Sequence, residues 1–213
     1  MKTIVFCLPG THFSYRALES WTKLLLACPQ YQVNPVLKTA FSPNIYHVRN
    51  YCLDGDKYGP TTQKPFQENI DYDYIMWIDS DIIYQPKDFH RLLKSLENKP
   101  QHHILSGIYL TQDKKHFTTH INNKRLTKSD IKKLKNIIKV DSTGFGFTLI
   151  RRGVFELLSY PWFQPLKLID TDKNYEMFLG EDVSFSHRAK EKDFDTYIHP
   201  QVLLGHEKLL VIK

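Results

Sequence analysis

The chain has 213 residues, a formal charge of +6 and a pI near 9. That length suits one α/β domain with a full core and is short for two, and 41% hydrophobic with 24% charged residues excludes a disordered or fibrous chain. Cys7, Cys28 and Cys52 show no C-x-x-C spacing, which argues against a disulfide framework and for a reducing, cytoplasmic setting; no apolar run reaches membrane-spanning length.

Apolar runs bounded by turn residues alternate with helix-like segments along the chain, the pattern of βαβ units around a mostly parallel sheet. "TIVFCLP" (3–9) predicts a first strand, because Pro9-Gly10 cuts the apolar run too early for a signal-peptide core. The segment 14–29 predicts a helix capped by Ser14, with Ala17, Trp21, Leu24 and Leu25 inward. "YQVNPVLKT" predicts a second strand, 44–55 a short helix or turn, and "YDYIMWID" (72–79) a third strand. Residues 86–98 predict a helix entered through Pro86, with Phe89, Leu92, Leu93 and Leu96 on one face. "HHILSGIYL" predicts another strand. The stretch 111–139 holds nine Lys and Arg against two Asp and reads as a solvated face, without the stacking aromatics of a nucleic-acid groove. Its second half, 128–140, predicts an amphipathic helix with Ile131, Leu134, Ile137 and Ile138 inward. Then come a glycine-spaced strand and helix start in 141–158, a helix over 181–193, a strand over 194–200, and a last strand or loop over 202–208. The apolar end "KLLVIK" suggests that the natural polypeptide continues past Lys213. Without repeats or low-complexity linkers, the expectation is one domain over 1–213.

One stretch poses a charge problem. In "YDYIMWIDSDIIYQP" (72–86), Asp79 and Asp81 lie one residue apart inside an apolar run. In a strand such residues share a face, and buried carboxylates need a compensating partner. A divalent cation at the strand's C-terminal end is the first candidate. His206 in "LLGHEK" adds an imidazole suited to such an ion, and Lys208 a charge that offsets phosphate. Glu181 and Asp182 stand where a glycine leads into a helix, whose dipole favours an ionised carboxylate, as a general base requires. In "DSTGFGFTLIRR", Gly144 and Gly146 permit close backbone approach to a ligand, with Phe145 and Phe147 as flat apolar surface. "PGTHFS" lacks dinucleotide or P-loop spacing, yet Pro9, Gly10 and Thr11 can seat a base through backbone groups.

The order of these motifs, with Arg49-Asn50, "DSD", "GIY", the glycine-rich strand into "IRRGVFE", "GEDVSF" and a late "GHEK", resembles a nucleotide-sugar-dependent glycosyltransferase of the GT-A fold over roughly 3–208. In size the chain is also similar to glycosyltransferase domains of large algal DNA viruses, which build capsid glycans. The resemblance implies a mixed, mostly parallel sheet flanked by helices, a nucleotide-sugar-binding half over about 1–110 and an acceptor half over about 111–213. It implies Mn2+ or Mg2+ bound by Asp81 and His206, with Asp79 on the metal, a metal-bound water or the ribose. Pro9, Gly10, Thr11 and Arg49 would line the nucleotide, Lys208 the diphosphate, and Gly144 and Phe145 the sugar or the acceptor. Asp182 would be the base of an inverting transfer, with Glu181 as the alternative. The implied substrates are a UDP-sugar and a glycan or glycoprotein acceptor, with no nucleic acid. The stretch 111–139 departs from the family's pattern, which leaves acceptor specificity open. Rival readings are a sugar nucleotidyltransferase, which usually carries a glycine-rich phosphate loop absent here, and a catalytically silent nucleotide-sugar or glycan binder.

Overall fold

A computed structural model of the chain describes residues 1–170 and 175–208; the apolar end 209–213 lies outside them. In chain order its elements are β1 Lys2–Pro9, α1 Tyr15–Ala27, β2 Val33–Ala40, α2 Ile45–Cys52, β3 Tyr74–Ile78, β4 Ile82–Ile83 and α3 Pro86–Asn98. There follow β5 Ile104–Ile108, β6 His116–Ile121, β7 Lys124–Thr127, α4 Lys128–Lys133, β8 Ile138–Val140, β9 Phe147–Arg151 and α5 Val154–Leu157. The chain then adds β10 Lys167–Asp170, β11 Tyr175–Phe178, α6 Glu181–Lys190, β12 Thr196–Leu203 and β13 Gly205–His206.

The main sheet has the order β2-β1-β3-β9-β5-β12-β8. Strands β2, β1, β3, β5 and β12 run one way; β9 and β8 run against them. This is the expected mixed, mostly parallel sheet, and it forms a single α/β domain. The inner strands carry unbroken apolar runs because both their faces are covered. Ile4, Phe6 and Leu8 of β1 pack with Leu24 of α1 and Phe89, Leu92 and Leu96 of α3. Val5 and Cys7 point the other way, into a core with Val154 and Phe155 of α5 and Phe185 and Ala189 of α6. Pro35 is tolerated because β2 is an edge strand.

Local signals explain the helix boundaries. The Ser14 hydroxyl accepts from the Ala17 N–H at 3.1 Å and Asn44 caps α2. Pro86 occupies the first position of α3 behind a Gln85–Asp88 capping box. The predicted helix over 128–140 is corrected. The helix α4 is capped by Thr127 and Asp130 and ends at Lys133, after which Ile138–Val140 pairs antiparallel with β12. The β-branched Ile137, Ile138 and Val140 favour a strand once a partner is available, so the apolar contacts of Ile131 and Ile138 survive while the helical period does not. The separate segments 194–200 and 202–208 are joined only as far as Leu203, in one strand, β12, whose register shifts between Ile198 and Leu203, where Pro200 cannot donate; Gly205–His206 then forms β13. Ahead of α4, 116–127 forms the hairpin β6–β7. Among the described residues no helix is long and apolar enough to cross a membrane.

Candidate functional site

The register of the parallel strands sets the site. Cys7 lies beside Trp77, so Pro9 and Asp79 leave the sheet at the same rim. Between them opens a cleft of about 370 Å³ lined by Pro9, Gly10, Thr11, Ser42, Asp79, Ser80 and Asp81. Gly10 adopts φ +128°, and a Cβ there would lie 3.2 Å from the Ser80 hydroxyl. The positive φ favours glycine at this turn, and a side chain there would have to push Ser80 aside.

Asp79 and Asp81 do not share a partner. The strand ends at Ile78, so the two side chains diverge. Both oxygens of Asp79 accept from the Arg49 guanidinium, at 2.7 and 3.1 Å, the bidentate geometry that suits arginine. Arg49 also lies 3.5 Å from Glu181 Oε1. Its side chain is buried between the rings of Trp77 and Phe145, at 5.3 and 5.5 Å. Burial works against its charge, but Asp79 and then Glu181 more than restore it, and its pKa lies above the ordinary value.

Asp81 faces the end of the chain. Strand β13 pairs with β4, and the Glu207 N–H donates to the Asp81 carbonyl at 2.8 Å. This turn brings Nε2 of His206 to 3.2 Å and Nζ of Lys208 to 2.6 Å from Asp81 Oδ2. Nδ1 of His206 donates to the Leu110 carbonyl at 2.7 Å, so Nε2 is the nitrogen left to face Asp81. Burial raises the Asp81 pKa, yet hydrogen bonds from His206 and Lys208 outweigh it and hold the carboxyl at about 2. The folded value is depressed, so this closure is at full strength above the free Asp value of about 3.9 and fades as pH falls toward 2. Protection of the Glu207 amide, its exchange rate relative to that of an unstructured amide at the same pH, should fall over that interval; unchanged protection would mean that Asp81 does not hold the chain end.

Glu181 and Asp182 open α6 behind Gly180. The Tyr46 hydroxyl fixes the approach by donating to the Leu179 carbonyl at 2.5 Å, and Asp182 Oδ1 accepts from the Val183 N–H at 2.7 Å. Burial pushes both carboxyls above their ordinary values, against the lowering by Arg49 and backbone N–H groups. At the start of α6 desolvation thus outweighs the lowering by Arg49 and the backbone N–H groups.

Three further expectations change. Among the described residues no three of His, Cys, Asp and Glu converge on one point; Asp81 and His206 meet, whereas Asp79 is turned to Arg49. Arg49 is buried beneath the acids and does not line the cleft. Gly144 and Phe145 border no open surface. A Cβ at Gly144 would lie 2.3 Å from the Tyr109 hydroxyl, which accepts from the Gly146 N–H at 2.9 Å, so this close approach serves core packing. Phe145 and Phe147 are buried. Sequence reasoning passed over Tyr46 and Tyr109, and nothing in their spacing marks them; for Arg49 the signal was present, a cation in a short helix beside an acidic strand end.

Residues 67–158 match the model of Glycosyl transferase family 2. The match spans Asp79 and Asp81 and stops before Glu181, Asp182 and His206. Among solved structures, A197 from STIV is similar over 100% of this chain and 97% of that one, with a TM-score of 0.59 at 19% identity, a likeness of fold. A glycosyltransferase involved in the glycosylation of the major capsid of PBCV-1 is similar over 72% of this chain and 62% of that one, with a TM-score of 0.40 and 11% identity. No curated protein matches the chain. The fold is the GT-A arrangement.

Proposed function

We infer that the chain is a glycosyltransferase, which the match to Glycosyl transferase family 2 supports, and that it moves a hexose or deoxyhexose from a UDP-sugar to a hydroxyl of a glycan. One observation carries this reading. A buried guanidinium ties Asp79, on the wall of the cleft, to Glu181, whose neighbour Asp182 has no cation of its own within 4 Å among the described residues. In this reading the Asp79 side serves the donor and the Glu181–Asp182 side the incoming hydroxyl.

The diphosphate of a sugar nucleotide would be repelled by Asp81 unless a cation lies between them. Lys208 supplies one positive charge. Asp81 and Nε2 of His206 form a carboxylate–imidazole pair that fits Mn2+ or Mg2+, ions that complete their shell with water and substrate phosphates. Bound there, such an ion would act as a Lewis acid on the leaving diphosphate. The chain's own groups do the rest: Pro9, Gly10 and Thr11 bound the nucleotide cleft, Arg49 holds Asp79 rigid, and Asp182 takes the proton from the attacking hydroxyl. Attack from the side opposite the leaving group inverts the anomeric centre.

Incubation with UDP-glucose and Mn2+ should release UDP slowly, and a panel of UDP-sugars giving no release would sink the reading. In calorimetry with Mn2+, Asp81→Ala should weaken UDP-sugar binding by about tenfold or more, ~1.4 kcal/mol. Unchanged affinity would remove the ion.

A further inference from the structure

Two hairpins, β6–β7 and β10–β11, stand on either side of the first turn of α6 and enclose a groove of about 900 Å³. Asn123, Arg125 and Asp141 form one wall; Leu168, Met177 and Phe178 form the other. Gly180 and Val183 also line it, immediately flanking Glu181 and Asp182 in the chain. The groove therefore runs up to the residues that bracket Glu181 and Asp182, and it shares no lining residue with the cleft at Pro9–Thr11.

The two walls differ in chemistry. Met177 is 43% and Phe178 73% exposed, on a two-stranded hairpin that is marginal alone in water. Opposite them stand a donor and an acceptor. The Arg125 guanidinium meets the His120 ring at 3.4 Å and no carboxylate among the described residues. Among the described residues the Asp141 carboxylate accepts only a long bond, 3.4 Å, from the Asn123 N–H. Burial lowers the His120 pKa and favours its neutral form, so Arg125 and Asp141 nearly cancel.

Those features select the occupant. An anionic ligand would meet Asp141, and a wholly apolar one would strip water from Arg125 and Asp141 without replacing their hydrogen bonds. A neutral sugar satisfies both walls: its hydroxyls donate to Asp141 and accept from Arg125, while its C–H face covers Met177 and Phe178. We propose that the groove binds a neutral oligosaccharide and presents its hydroxyl to Asp182. The second half of that statement rests on the glycosyl-transfer reading; the first does not.

The test is saturation-transfer NMR on the full chain, without donor, using cello-, malto-, xylo- and manno-oligosaccharides and a glucuronate-bearing oligosaccharide. At least one neutral sugar should receive saturation at its C–H protons. Arg125→Ala and Phe178→Ser, both at exposed positions that should not disturb folding, should each weaken that sugar by about tenfold or more. Tyr51→Ala, in the separate cavity beyond α2, should leave it unchanged. Binding of the glucuronate-bearing sugar alone, no binding by any neutral sugar, or loss in Tyr51→Ala with retention in Arg125→Ala would each overturn the proposal. Sugar binding as proposed, with no UDP release from any UDP-sugar, would instead overturn glycosyl transfer and leave the groove's assignment standing.

Discussion

Arg49→Met is expected to destabilise the fold by about 3–5 kcal/mol and to abolish transfer, the cost typical of removing one partner from a buried ion pair. The guanidinium is fully enclosed, and it alone among the described residues bridges Asp79 and Glu181. Methionine fills similar space between Trp77 and Phe145, so the loss reports the charge rather than a cavity. Two carboxylates would then face each other without the cation and would have to take up protons or draw in water. Arg49→Lys should fall between, because an ammonium keeps the charge but cannot engage both oxygens of Asp79 at once. The double variant Arg49→Met with Asp79→Leu should recover part of the stability, since it removes the stranded charge, but none of the activity. Chemical denaturation gives the stabilities; an Arg49→Met protein within about 0.5 kcal/mol of the wild type would show that the network is solvated and that its geometry has been over-read.

The sheet was largely legible because its signals are local. Six consecutive buried residues in β1, Ser14 ahead of α1 and Pro86 opening α3 each act within a few positions of themselves. The site was legible as a list of residues and less so as pairings. "DSD" raised the need for compensating charge, yet the alternation of an ideal strand implied a shared partner. The strand instead stops at Ile78, and the two acids find cations 30 residues before and 127 residues after them. Nothing local encodes such pairings, because they depend on how β13 folds back over the rim. The glycines near 145 failed for a related reason: close approach was inferred correctly, but the approaching group is Tyr109 of the same chain. Helix α4 shows tertiary pairing overriding a period that fitted Ile131 and Leu134.

Asp182→Asn should separate chemistry from binding. General-base catalysis contributes about 10²–10⁴-fold, and transfer should fall by that factor while donor affinity stays near wild type, because Asp182 lies outside the nucleotide cleft. The pH dependence adds a second readout. Burial raises the Asp182 pKa, so its basic form is lost at a higher pH than for a free Asp, about 3.9. The acid limb of kcat/KM should therefore lie above that value, with activity rising as the carboxylate forms, and the limb should vanish from the residual activity of the Asn variant. Glu181→Gln provides the contrast. Glu181 touches Arg49, so its loss should also lower the melting temperature, whereas Asp182→Asn should not. If Asp182→Asn transfers within about threefold of the wild-type rate and Glu181→Gln does not, the proton passes to Glu181 and Arg49 becomes the group that tunes the base. If neither variant slows transfer, the acids at the start of α6 have only a structural part.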